Sequence, residues 1–294
     1  MIIKDIKLNP EEAKTLANEL QLQLNRGEIP KADQKNIDIL IAGLAEKRGL
    51  LRRVFAQSLG KVGKAAVPSL QKALIENKNV IVRRAAAKTL KLVGDPEALP
   101  YLLEALVNDE DKVVQCSAVG AMAIFGAQSV KHLLKIIEDP NSSVIQSGLA
   151  SWALAFVGTK APEAIKDAAK SANSLIRAAA IGALADQIKA GDDEEAGNLL
   201  MKAINDTSIN VQIEAIRVIG NIPKNPSIES ELIKKLIHQN AEIRKTSALS
   251  LLKLNCKKSL NELNIIASKE KNDDVKKVLL FTINKIRENR KLDL

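Results

Sequence analysis

Three glycines, one tryptophan and several basic side chains have the chemistry of a surface that binds a flat anionic molecule. Glycine leaves backbone bare for close approach, an indole ring can stack on a conjugated system, and guanidinium and ammonium groups pair with carboxylates. The candidate groove residues are Gly120, Gly148, Gly182, Trp152, Cys116 and Ala155. The candidate basic rim is Arg53, Arg84, Lys88, Arg217 and Lys245.

Residue types that would indicate other chemistries are missing from the sequence. His132 and His238 are followed by Leu and Gln, so the repeated His-Glu pairs that bind iron in one class of metallo-hydroxylases do not occur. Cys116 and Cys256 stand far apart, which argues against a disulfide framework and against structural zinc. We find no Ser/His/Asp set and no phosphate-binding glycine loop, so no catalytic residue is assigned and no metal is expected. One Trp and one Tyr give little support for stacking on nucleic acid.

The composition favours an all-α protein. Hydrophobic residues make up 46% of the 294 residues but aromatic residues only 2%, so Ala, Leu, Ile and Val must fill the core. The net charge of +9 favours acidic partners, although soluble scaffolds often carry a similar charge. The N-terminus lacks the apolar stretch of a signal peptide, and no run is long enough to span a bilayer. We therefore expect a soluble protein in a reducing compartment.

A pattern about 32 residues long recurs eight times. VRRAAAKTLKLVG, which begins at Val82, has counterparts that begin at residues 51, 114, 146, 176, 211, 243 and 275. The first, fifth and ninth residues of a copy are apolar or small, as on one face of a helix. Another apolar helical stretch precedes each copy, and Gly63, Gly94, Gly126 and Gly158 close the second helix. The sequence thus predicts a right-handed α-α superhelix of about eight helix pairs, with an N-terminal capping helix in residues 1–34 and a single repeat array in 35–294.

The second helices should line the concave surface, with positions three, seven and ten of each copy on their outward ridge. Copies three to five place the glycines, Cys116, Trp152 and Ala155 there, and basic residues flank them on both sides. Each glycine inside a helix costs roughly 1 kcal/mol relative to Ala, so the bare ridge needs an explanation. One explanation is a shallow apolar trough with Trp152 as its wall. Two others are crowding of neighbouring second helices and a groove for a partner protein's helix.

Arginine recurs at position two, as Arg52, Arg83, Arg177 and Arg244. In repeats of this type we expect these side chains to pair with the acidic turn of their own or the next unit. Cys116 lies on the predicted trough, and its alternative role is that of a small buried thiol.

The units VRRAAAKTLKLVGDPEALPYLLEALVNDED and LRRVFAQSLGKVGKAAVPSLQKAL resemble HEAT repeats, most closely the short subtype of phycobilisome bilin lyases of the E/F type. The resemblance covers about residues 35–287. It implies binding of a bilin, phycocyanobilin or phycoerythrobilin, as substrate, with no permanently bound cofactor. It also implies a phycobiliprotein subunit or assembly factor as partner, a second HEAT-repeat subunit, and a location in the cytoplasm or plastid stroma. The chain has no His-Cys dipeptide, so bilin isomerisation is not implied.

Two functions remain open after this resemblance. The first is a phycobilin:cysteine-phycobiliprotein lyase or bilin-handling chaperone, in which a tetrapyrrole lies in the groove and its propionates meet Arg84, Lys88 or Arg217. A carboxylic acid for protonating the bilin would come from Asp109, Asp111 or Asp139, which are otherwise capping residues. The second is a non-catalytic scaffold for assembly of photosynthetic or iron–sulfur proteins.

Overall fold

The computed structural model describes residues 6–190, 193–223 and 226–292, which are helical with no strand among them. The helices in chain order are α1 (Pro10–Asn25), α2 (Gln34–Gly43), α3 (Gly49–Val62), α4 (Val67–Glu76), α5 (Val80–Val93), α6 (Leu99–Asn108), α7 (Lys112–Met122), α8 (Ala127–Glu138), α9 (Val144–Gly158), α10 (Pro162–Ala168), α11 (Ser174–Ala183), α12 (Ala185–Ala190), α13 (Glu194–Ala203), α14 (Ile209–Ile219), α15 (Pro226–Lys235), α16 (Ala241–Lys253), α17 (Leu260–Lys269) and α18 (Asp273–Leu292). Short 3₁₀ turns cover Gly63–Ala66, Pro96–Ala98, Ala123–Phe125 and Lys257–Ser259.

The chain divides into two compact units. The first contains residues 1–136 and 142–160, and the second contains residues 137–141 and 161–294. In the first unit α1 packs on α3, and α3, α5, α7 and α9 are the second helices of successive repeats. In the second unit α11, α14, α16 and α18 play that part. The all-α fold of HEAT-like helix pairs is therefore confirmed, while the division into a cap at 1–34 and one array at 35–294 stays a prediction.

The predicted core stripe lies where the helices pack. The ninth residue of each copy is buried in all eight second helices, from Leu59 to Ile283. The fifth residue is fully buried throughout, and it is Ala in five of the copies. Small residues at the fifth position let neighbouring helices approach closely, so Leu, Ile and Met at the ninth position supply the burial that holds the repeats together.

Three of the four glycines predicted to close second helices have positive φ, and polar N-cap residues begin several helices. Gly63, Gly94 and Gly126 adopt positive φ after the second helices of their repeats, whereas Gly158 is the last residue of α9. Asn173 is the N-cap of α11, and its side chain accepts a hydrogen bond from the Leu175 amide.

The second residue of each copy, which lies in the first turn of the second helix, anchors that helix to its own preceding turn. In six copies this residue, Arg or Gln, donates to the backbone carbonyl six residues earlier. The donors are Arg52, Arg83, Gln115, Arg177, Gln212 and Arg244. Three of the arginines also reach the acidic turn of the next repeat, with Arg83 binding Asp109, Arg177 binding Asp206 and Arg244 binding Glu270, each through two nitrogens. The expected pairing at position two is thus seen at these three sites, whereas Arg52 binds backbone carbonyls.

Candidate functional site

Helices α7 and α9 together expose a face that is apolar or small along its whole length. On α9 the exposed or half-buried residues Ile145, Gly148, Trp152 and Phe156 follow a spacing of three, four and four, so they share one side of the helix. On α7 and the 3₁₀ turn after it, Val113, Cys116, Gly120 and Ile124 repeat this arrangement. The two helices contact each other in the first unit. We refer to these eight residues as the α7–α9 face.

The centre of the α7–α9 face is bare because nothing covers its two glycines. A Cβ atom added to Gly120 or to Gly148 would meet no atom of a neighbouring element within 4 Å. Crowding of the second helices therefore does not explain these glycines, although each sits inside a helix where it costs roughly 1 kcal/mol. Trp152, with 45% of its surface exposed, stands beside this floor, one helical turn after Gly148.

Gly182, the third predicted floor residue, has a different environment in the second unit. A Cβ atom there would lie 2.8 Å from Oε1 of Glu214 on the adjacent helix α14. The glycine thus makes room for a carboxylate, and the crowding explanation holds at this position. Gly220 is similar, since a Cβ atom would lie 2.7 Å from Oγ of Ser250.

The second helices of the first unit, which we call its inner helices, carry positive charge and no negative charge. Helices α3, α5, α7 and α9 contain eight Lys and Arg residues but no Asp or Glu. Among the described residues, Arg53 and Lys88 have no carboxylate within salt-bridge distance, so their charges remain available to a ligand. Arg84 lies on the expected side, but Asp111 binds it through two hydrogen bonds of 3.0 and 2.6 Å.

The basic residues predicted in the second unit are also paired. Arg217 lies 2.9 Å from Glu214, and Lys245 lies 2.6 Å from Glu242, in each case one helical turn away. The side chains of Arg217 and Lys245 both remain partly exposed to solvent in these pairs. Burial raises the pKa of the Glu214 carboxyl, and the charge of Arg217 opposes that effect.

The three aspartates considered as proton donors serve the turns instead. Asp111 is the N-cap of α7, and its hydrogen bonds with Arg84 lower its pKa to about 2, so it is ionised at neutral pH. Asp109 is held by Arg83, with an Nε–Oδ2 distance of 2.8 Å. Asp139 is exposed and accepts hydrogen bonds from the backbone and side chain of Asn141. Each of these carboxylates already has a structural role.

Cys116, Gly120, Gly148 and Trp152 lie together on one face, which extends further at both ends than the sequence indicated, and their role in binding stays a prediction. Cys116 is exposed rather than a buried thiol. The four missed residues are Val113, Ile124, Ile145 and Phe156. Counting one helical turn before position three and one helical turn after position seven of each copy would have located them. Ala155, also predicted, is half-buried beside Trp152.

Known proteins resemble this chain in sequence over nearly its full length. A family model described as HEAT repeats matches residues 37–123, 93–151 and 197–284. The bilin biosynthesis protein MpeU of Synechococcus sp. (strain WH8020) is 38% identical over 286 residues, which are 96% of this chain and 96% of that protein. The chain belongs to this family of HEAT-repeat proteins.

A more distant relative and a solved structure are also similar to the chain. The phycocyanobilin lyase subunit alpha of Picosynechococcus sp. is 27% identical over 73% of this chain and 74% of its own length. The karyopherin Kap121p superposes with a TM-score of 0.55 at 15% identity, over 97% of this chain and 38% of the karyopherin, which shows the solenoid fold alone.

The described residues hold neither a metal-binding cluster nor a membrane-spanning helix. No group of three or more His, Cys, Asp or Glu side chains could hold a metal ion within residues 6–190, 193–223 and 226–292. Across the same stretches no helix has the length and hydropathy needed to cross a membrane.

Proposed function

We propose that the chain binds a linear tetrapyrrole on the α7–α9 face and presents it to a cysteine of a phycobiliprotein subunit. The observation that carries this proposal is the uncovered floor of Gly120 and Gly148 beside the half-exposed indole of Trp152. A flat conjugated molecule can lie against such a floor in van der Waals contact with helix backbone, and it can stack on the indole. The named roles of relatives in bilin biosynthesis and phycocyanobilin attachment support the same ligand class.

The free basic groups on α3 and α5, the second helices that precede this face, suit the ligand's acidic substituents. A linear tetrapyrrole carries two propionates, and Arg53 and Lys88 on α3 and α5 offer charges that no carboxylate of the described chain neutralises. Arg84 is a weaker partner, because release from Asp111 would leave that half-buried carboxylate without its two hydrogen bonds.

The reaction needs no proton donor from this surface. When the acceptor thiol adds across an exocyclic double bond of the bilin, a carbon–sulfur bond forms and a π bond is lost. The proton of the thiol ends on the neighbouring carbon, so no oxidant or reductant is required. Helices α3, α5, α7 and α9 contain no carboxylic acid, and we therefore propose that the chain contributes positioning rather than acid catalysis.

Absorption spectroscopy tests the bilin proposal. Phycocyanobilin and phycoerythrobilin are each mixed with the purified protein, and we expect a red shift because the face holds the flexible tetrapyrrole extended. Trp152→Ala should abolish most of the shift. The control Tyr101→Ala removes another exposed aromatic ring, from α6, and should leave the spectrum unchanged. A wild-type protein that shifts neither bilin, or a Trp152→Ala variant that behaves like wild type, refutes the proposal.

The second candidate function is a scaffold that holds a partner protein without any pigment. The same α7–α9 face favours it, since exposed Ile145 and Phe156 suit a partner helix as well as a tetrapyrrole. Capture of a phycobiliprotein subunit in the complete absence of bilin binding would support this alternative.

A further inference from the structure

A row of apolar side chains crosses three repeats at the C-terminal ends of the inner helices. Leu92, Ile124 and Phe156 are each the eleventh residue of their copy, and their exposed fractions are 54%, 45% and 53%. Because they hold the same position in successive repeats, they form one line across α5, the turn after α7, and α9. We call these three residues the C-terminal row.

Two members of the row, Leu92 and Ile124, lean over the end of the preceding second helix. The Cβ atom of Leu92 lies 3.1 Å from the site of an added Cβ on Gly60 of α3. The Cδ1 atom of Ile124 lies 3.9 Å from the corresponding site on Gly94, at the end of α5. Glycine at position 60 makes room for Leu92, whereas the distance between Ile124 and Gly94 is an ordinary van der Waals contact. The row ends at a pocket between α1, α3 and α5 that Leu92 lines together with Leu24 and Lys61.

Uncompensated positive charge borders one end of the row. Lys61 occupies the eleventh position of the first copy, in line with Leu92, and Lys88 and Lys91 lie on the same side of α5. Within the described residues none of the three makes a salt bridge, and Lys64 nearby is already bound to Glu97 at 2.8 Å. A partner segment on the row therefore needs acidic side chains at that end.

The spacing of the row matches a helix laid across the repeats. Neighbouring packed helices lie about 8–10 Å apart, and residues seven apart in an α-helix are separated by about 10.5 Å along its axis. A helix with apolar residues at this interval could place one beside each of Leu92, Ile124 and Phe156, with carboxylates facing Lys61 and Lys91.

We propose that the C-terminal row docks an acidic amphipathic helix of the phycobiliprotein subunit that receives the bilin. The identity of the partner rests on the proposed function, whereas its helical, acidic and apolar character follows from the row itself. Ile124 and Phe156 also form one end of the α7–α9 face, so a subunit docked here lies next to the bilin floor.

The test titrates fluorescently labelled apo α- and β-subunits of a phycobiliprotein with the full-length protein and follows anisotropy. We expect one of them to bind, and Leu92→Glu to weaken binding about tenfold or more because a carboxylate would then face the partner's apolar residues. Lys61→Glu should weaken it by a smaller factor. The control Ile265→Glu alters a similarly exposed side chain, on α17, and should bind like wild type. Circular dichroism confirms that each variant is folded.

Several outcomes overturn the docking proposal. One is that neither subunit binds, and another is that Leu92→Glu binds as tightly as wild type. A third is a wild-type dimer that Leu92→Glu converts to monomer, which would assign the row to a second copy of this chain. Leu92 and Lys61 lie outside the α7–α9 face, so their variants should keep the bilin red shift. Leu92-dependent subunit binding without any red shift in the wild type refutes the bilin proposal and leaves the docking proposal standing.

Discussion

Arg177 makes four hydrogen bonds at once, two to the carboxylate of Asp206 and two to the carbonyls of Ser171 and Ala172. Its side chain is largely buried, so Arg177→Ala would leave a half-buried carboxylate and two carbonyls without this donor. We expect the free energy of unfolding to fall by about 2 kcal/mol. Urea denaturation measures the change. Arg53→Ala removes an exposed arginine that makes no salt bridge among the described residues, and a comparable loss there would contradict this account.

The Arg84–Asp111 pair should make stability depend on acidity. Arg84 holds the pKa of Asp111 at about 2, below its ordinary value of 3.8. The pair's contribution is therefore present above that ordinary value and is lost as the pH falls towards 2. In Arg84→Gln the pKa of Asp111 should rise towards its ordinary value, and the melting temperature should fall less between pH 4 and pH 2. A ¹³C NMR titration of the carboxyl group, with thermal melts over the same pH range, checks both expectations.

At the scale of helices, substitution of glycine by alanine should raise the free energy of unfolding where no neighbouring side chain covers the glycine and lower it where one does. Gly120→Ala and Gly148→Ala should each raise the free energy of unfolding by about 0.5–1 kcal/mol, because the added methyl meets no neighbour and alanine favours the helix. Gly148→Ala should also weaken bilin binding several-fold by raising the floor. Gly220→Ala should lower stability, since its methyl would press on Ser250. Paired denaturation and absorption titrations decide the matter, and a Gly148→Ala protein that is both more stable and fully bilin-competent would contradict the role of the floor.

The helices themselves were predictable because each repeats a local pattern. Buried residues such as Leu90 and Met122 could be located by counting nine from the start of a copy. The roles of the glycines could not, because Gly120 and Gly182 occupy the same seventh position with the same sequence signal. What separates them is the next helix, whose Glu214 side chain leans over Gly182, while no side chain reaches Gly120. Such a difference depends on side-chain direction between repeats, which a period of about 32 residues does not encode.

At the scale of the whole molecule, net charge should govern the rate of association with the phycobiliprotein subunit. The chain carries a net charge of +9, and the inner helices of its first unit lack carboxylates altogether. Raising NaCl from about 50 to about 500 mM should slow association with the acceptor subunit much more than it changes dissociation, since salt screens long-range attraction. Stopped-flow fluorescence separates the two rates. Lys61→Glu with Lys91→Glu should lower the association rate, whereas Lys269→Glu with Lys271→Glu, an equal change of net charge in the second unit, should affect it less.

The anchoring of second helices to their preceding turns has a gap at α9. The residue equivalent to Arg83 and Gln115 is Ser147, whose hydroxyl is too short to reach the carbonyl six residues back. The capping box of Ser143 and Gln146 and a hydrogen bond of 3.3 Å from the Gln146 side-chain amide to Asn108 secure the first turn of this helix. Opening fluctuations of that turn should therefore require less free energy than in α5 or α7, and its amide protons should exchange with deuterium sooner. Among the second helices of its unit, α9, which carries Trp152, should then be the one that shifts most readily when a ligand binds or leaves.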